Sequence, residues 1–117
     1  MTESPAPAAS TTQTDQDQPE YLWSRTTPSA DSATPPSARR YSAGALLVNS
    51  SATACHLLVI GGFDARKEAL NDVHAWDVRA RAWKQFTVRG QCAPSARYGA
   101  AACVDASGRV WLFGGAT

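Results

Sequence analysis

The side chains best able to do chemistry are few and scattered. Cys55 and His56 are adjacent, and His74, Cys92 and Cys103 follow at separations that match no zinc pattern. A lone histidine or cysteine in a strand is ordinarily a packing residue, so no metal is expected. Asp64, Asp72, Asp77 and Asp105 fall in turns and at strand ends, where a carboxylate caps backbone amides, and they do not form a calcium loop. The pairs Gly61-Gly62 and Gly114-Gly115 follow strands without the lysine or helix that a phosphate-binding loop requires. No serine or cysteine sits in an elbow motif. These residues predict neither catalysis nor a cofactor.

The composition narrows the classes further. A chain of 117 residues makes one small domain. Lys and Arg number 11 against 10 Asp and Glu, a net charge of +1, which argues against a nucleic-acid surface or an anionic-membrane surface. No run of apolar residues is long enough to span a bilayer. Met1 to Ser10 has neither the basic nor the apolar region of a secretory signal. Three cysteines, an odd count, are read as reduced thiols in a cytoplasmic chain.

The elements that must position these residues are short strands. Residues 1–20 carry Glu3, Asp15, Asp17 and Glu20 with no basic or aromatic side chain, the composition of a disordered tail. Thr26 to Pro36 has the same character, leaving Tyr21-Leu22-Trp23 as an island. From Tyr41 onward, apolar runs alternate with turn residues. Strands are expected at Ser42 to Asn49, Cys55 to Ile60 closed by Gly61-Gly62, Val73 to Val78, Ala82 to Val88, Ala100 to Val104 and Arg109 to Phe113. Ala65 to Ala69 is too short for a helix and is assigned to a loop.

A repeat runs through these strands. Pro36-Ser37-Ala38-Arg39 recurs letter for letter as Pro94-Ser95-Ala96-Arg97. Tyr41-Ser42-Ala43 pairs with Tyr98-Gly99-Ala100, which makes Arg40 an extra residue in the first copy, and the glycine pairs follow in order. A period of roughly 50 residues with four strands per unit is the mark of a propeller blade.

With Trp76 and Trp83 seven positions apart after the glycine pair, the pattern resembles the kelch repeat. Trp76 stands where the family usually has tyrosine. The repeat marks are Arg39, Gly61, Gly62, Trp76, Trp83, Arg97, Gly114 and Gly115. The resemblance implies an all-β fold: a four-stranded antiparallel blade plus part of a second, within a β-propeller. On this reading residues 21–39 are an isolated strand that ends a preceding repeat and a Pro-rich loop, residues 40–96 are a complete repeat, and residues 97–117 are the first half of another.

The function implied is a non-catalytic module for protein–protein interaction. In the family, loops after the second and fourth strands share one face that binds partner proteins, which here selects Arg66, Lys67, Arg89 and Gln91. The alternative is a truncated fragment of a longer kelch protein with no independent function. A galactose-oxidase-like copper propeller is less favoured, because its Tyr/His/Cys set cannot be matched. Further kelch repeats or self-association are expected to cover the open face of the blade.

Overall fold

The computed structural model describes residues 20–49, 53–90 and 93–117. The proposed tail therefore lies outside the described residues, except for Glu20. Among the described residues there are seven strands: β1 (Arg39–Arg40), β2 (Ala43–Val48), β3 (Cys55–Asp64), β4 (Ala69–Asp77), β5 (Ala82–Phe86), β6 (Ala101–Val104) and β7 (Val110–Phe113). β1 and β2 lie end to end along one edge of β3, and β4 and β5 follow on its other side. The result is an antiparallel sheet four strands wide. β6 and β7 form a separate two-stranded sheet.

β3 is longer than its sequence suggests. Gly61 and Gly62, expected to close the strand, lie inside it, and pairing resumes with Gly62 opposite Leu70 after an irregularity beyond the Ile60–Val73 pair. Both glycines have positive φ, 63° and 118°, which an ordinary side chain resists. A Cβ on Gly61 would stand 2.6 Å from the Arg97 carbonyl oxygen. The glycine pair therefore bends the strand and admits the next unit's backbone. Ala65 to Glu68 make the turn that carries β3 into β4.

Register assigns each side chain to a face, because cross-strand partners point the same way. One row crosses the sheet as Ala45, Leu58, Ala75 and Lys84. Its first three members are buried, with Leu47, Ile60, Ala102 and Val104 packed around them. β6 therefore covers this face where it lies over β2 and β3. The next row crosses as Leu46, Leu57, Trp76 and Trp83 on the opposite face. Leu46 and Leu57 are exposed there, while the two indoles stack with centroids 5.2 Å apart. The small side chains of β2 suit a strand with sheet neighbours close on either face.

The second hairpin repeats the registers of the first. Ala43 opposite Ile60 corresponds to Ala101 opposite Phe113, and Leu46 opposite Leu57 corresponds to Val104 opposite Val110. Arg40 pairs with Phe63 as Tyr98 pairs with Ala116, in both copies the residue just beyond the glycine pair. Arg40 is therefore not an insertion, which corrects the letter alignment of Tyr41 with Tyr98. The whole length difference between the copies lies in the first hairpin loop.

No strand occurs over residues 20–38, and Trp23 is 99% exposed, so the strand expected there is not found. The Pro-rich stretch is instead ordered against β5. Ser29 N–H donates to the Arg81 carbonyl at 2.7 Å and Ala33 N–H to the Trp83 carbonyl at 3.1 Å. The Ser32 hydroxyl accepts from Trp83 N–H at 2.8 Å. These bonds occupy backbone groups along the outer edge of the sheet, which would otherwise invite strand pairing.

Candidate partner-binding end of the blade

Antiparallel order puts the β3–β4 turn and the β5–β6 connection at the same end of the sheet. What holds that end together is Arg39. Its guanidinium grips Asp72 with both terminal nitrogens, Nη1 to Oδ1 at 2.6 Å and Nη2 to Oδ2 at 3.1 Å. Nη1 also donates to the Gly61 carbonyl at 3.2 Å, and Nε to the Ser37 carbonyl at 3.1 Å. His74 Nε2 meets the same carboxylate at 2.8 Å. The Arg39 bonds, then burial opposing them, then the His74 contact set the Asp72 pKa at about 2. A charged, bidentate pair of this kind fixes geometry in a way a lysine cannot reproduce.

Arg97 repeats the frame without the carboxylate. It donates from Nε to the Ser95 carbonyl at 3.1 Å and from Nη1 to the Gly114 carbonyl at 3.0 Å. Its own backbone stitches the two units together, with N–H to the Leu70 carbonyl at 2.9 Å and its carbonyl accepting from Gly62 N–H at 3.0 Å. Both arginines therefore hold glycine-pair carbonyls in place.

The four loop residues selected from sequence fare differently. Arg66 folds back on its own turn, 3.3 Å from Asp64 Oδ2 and 3.9 Å from Glu68. Asp64 also accepts the Arg66 and Glu68 amides at 3.0 and 3.1 Å. The Glu68 amide bond above all holds the Asp64 carboxyl below its ordinary range. Lys67 is exposed at the tip, with φ of 64°, and Arg89 is exposed on the β5–β6 connection. Gln91 lies outside the described residues.

A second feature at this end escaped the sequence reading. The Arg40 guanidinium lies 5.5 Å from the Tyr41 ring and 5.4 Å from Phe63. Phe63 packs on Tyr98 at 4.7 Å, and Tyr98 stands 6.1 Å from Tyr41. Tyr41 is 61% exposed. One cation and three rings from both copies make a patch beside the turn. Its signal in the sequence was the two tyrosines near the clamp arginines, Tyr41 and Tyr98, which the letter alignment had paired with each other.

The remaining polar groups are occupied locally. Asp77 caps the Arg79 and Ala80 amides at 3.0 and 2.9 Å. Asp105 accepts from the Ser107 and Arg109 amides and from the Trp111 indole at 2.9 Å, which with the other bonds brings its pKa to about 2. Among the described residues no group of three His, Cys, Asp or Glu is arranged to hold a metal ion. Cys55 and Cys103 are free thiols, and Cys92 lies outside the described residues.

Comparison with known families matches residues 39–87 to the kelch motif. No curated protein matches the chain. The match begins at the clamp arginine and ends one residue past β5, so it spans all five strands of the larger sheet, β1 to β5. The chain carries a kelch motif at residues 39–87, a motif that implies a propeller blade for the all-β sheet found there.

Proposed function

We propose that this blade is a non-catalytic protein-interaction module of the cytoplasm, and that it binds its partner through the end formed by the β3–β4 turn and the start of β2. The observation that carries this reading is the Arg40–Tyr41–Phe63–Tyr98 patch, with Lys67 exposed on the neighbouring turn. Tyrosine and arginine are the side chains that most often anchor protein interfaces, because they offer large rigid area together with directed polar groups. The chain's turn and strand-end aspartates support the same reading. Asp64, Asp72, Asp77 and Asp105 are all engaged in caps or ion pairs rather than presented to a substrate.

The experiment is proximity labelling by the whole chain in cells, comparing wild type with Arg40→Glu/Lys67→Glu and with a control charge reversal at the opposite end, Arg79→Glu. Proteins enriched by wild type should be lost with the double variant and kept with Arg79→Glu. An enriched set that ignores the double variant would defeat the assignment of this end.

A further inference from the structure

We propose that two copies of this chain associate head to tail, the outer face of one copy's β6–β7 hairpin lying on the open face of the next copy's blade. The contact is separate from the partner-binding end, since it uses sheet faces rather than loops.

The packing that the contact requires already exists once within the chain. The covered face of the blade, with Ala45 and Leu58, receives Ala102 and Val104. By register, Ala102 and Val104 hold the places that Gly44 and Leu46 hold in the blade. One copy of the motif therefore packs its Ala45–Leu58 face on the Gly44–Leu46 face of the other. Among the described residues each copy then has one face left over, and the two left-over faces are the two sides of that same packing. On the blade it is the row Leu46, Leu57, Trp76 and Trp83, with Leu46 54% and Leu57 44% exposed. On the hairpin it is Ala101, Cys103, Trp111 and Phe113, the places of Ala43, Ala45, Leu58 and Ile60, with Phe113 82% exposed.

Neither row contains a charged side chain. The Trp111 indole N–H already donates to Asp105, so burying the ring strands no polar atom. Apolar rows of this extent on a small chain mark a contact surface. Because the two surfaces differ, the association is heterologous: it leaves a free face at each end, and it continues unless the rotation closes a ring.

Sedimentation velocity of the full chain, over a range of concentrations, tests this. The weight-average mass should rise past that of a dimer with concentration. Leu46→Glu/Leu57→Glu and Phe113→Glu should each abolish self-association. Mixed in equal amounts, the two variants should form a dimer and stop there, since one intact junction remains. Persistence of association in the Phe113→Glu variant alone would mean that blade faces pair with each other, and it would overturn the head-to-tail contact.

A second measurement needs no variant and so does not depend on one folding. Alkylation of Cys103, followed by peptide mass, should slow as wild-type concentration rises, by about tenfold when nine-tenths of the faces are occupied. A Cys103 rate independent of concentration, with a monomeric mass throughout, would overturn the proposal and assign the faces to another occupant.

Discussion

Tyr41 and Gly99 occupy the same place in two copies of one motif, with φ of 59° and 75°. Each stands two residues after a clamp arginine, and Gly99 N–H donates to the Tyr41 carbonyl at 2.8 Å, tying the two bends together. A left-handed backbone costs an ordinary L-residue about 1–2 kcal/mol, and a β-branched residue tolerates it least. Tyr41→Val should therefore melt lower than Tyr41→Asn, although valine is the better strand former, because asparagine accepts the left-handed region. A difference of about 1 kcal/mol is expected by thermal denaturation. Equal stability of the two variants, or a more stable valine variant, would place Tyr41 in extended backbone instead.

Gly61 faces a harder constraint than its neighbours in sequence type. An alanine there would press its Cβ to 2.6 Å from the Arg97 carbonyl and 2.9 Å from that of Leu70, with φ of 63° besides. Gly108 also has positive φ, 86°, but open space around it. Gly61→Ala should destabilise by roughly 3 kcal/mol or more, and Gly108→Ala by about 1 kcal/mol, the conformational cost alone. Urea denaturation of the two variants measures the difference.

Much of this fold was legible because the strands are short, apolar and separated by turn residues with known chemistry. The pair Trp76 and Trp83 was visible as spacing and proved to be a cross-strand pair. The limits of β3 were not legible: Gly61-Gly62 reads as punctuation, yet a strand can carry two positive-φ glycines when an irregular pairing absorbs them. The role of Asp72 was hidden too. Three of the four aspartates do cap turns, as their positions suggested, but Asp72 pairs with an arginine 33 residues away, and no local pattern reports such a contact. The aromatic patch was missed for the same reason, since it joins Arg40 and Phe63 to Tyr98 across the two copies. Nor does composition show that Ser29 to Ala33 runs along β5, because those bonds come from backbone groups that every sequence supplies.

Asp72 makes stability depend on acid in a definite direction. Its folded pKa is about 2, against an ordinary value of 3.8. Between those values the unfolded chain binds a proton that the folded chain does not, so stability rises with pH in that window. The Asp72 contribution is complete above pH 3.8 and disappears as pH falls through about 2. Asp72→Asn should lower stability at neutral pH, where it breaks the Arg39 ion pair, and flatten the loss between those two pH values. A shallower limb should remain, since Asp105 is lowered as well. Denaturation midpoints read at a series of pH values check this; an unchanged acid limb in the variant would show that the Arg39 contact does not persist in solution.

Trp83 and Trp23 share a place in the repeat as the sequence presents it, each a tryptophan followed by a loop and then Pro-Ser-Ala-Arg, but they differ in surroundings. Trp83 lies on β5, half-buried and stacked on Trp76 at 5.2 Å, while its backbone is bonded to Ser32 and Ala33. Trp23 is 99% exposed. Truncating Trp83 to alanine removes both apolar area and an offset aromatic pair, together about 2 kcal/mol for a half-buried ring. In a domain of this size that lowers the melting temperature by about 10 °C. The backbone bonds survive the substitution, so the sheet should remain and the change should appear in the midpoint rather than in the strand signal. Trp23→Ala removes no packing and should leave the midpoint within about 1 °C. Both variants should be read in dilute solution, where association through the open face does not add to the difference. Equal shifts would mean that Trp23 has a partner that the exposed position does not reveal.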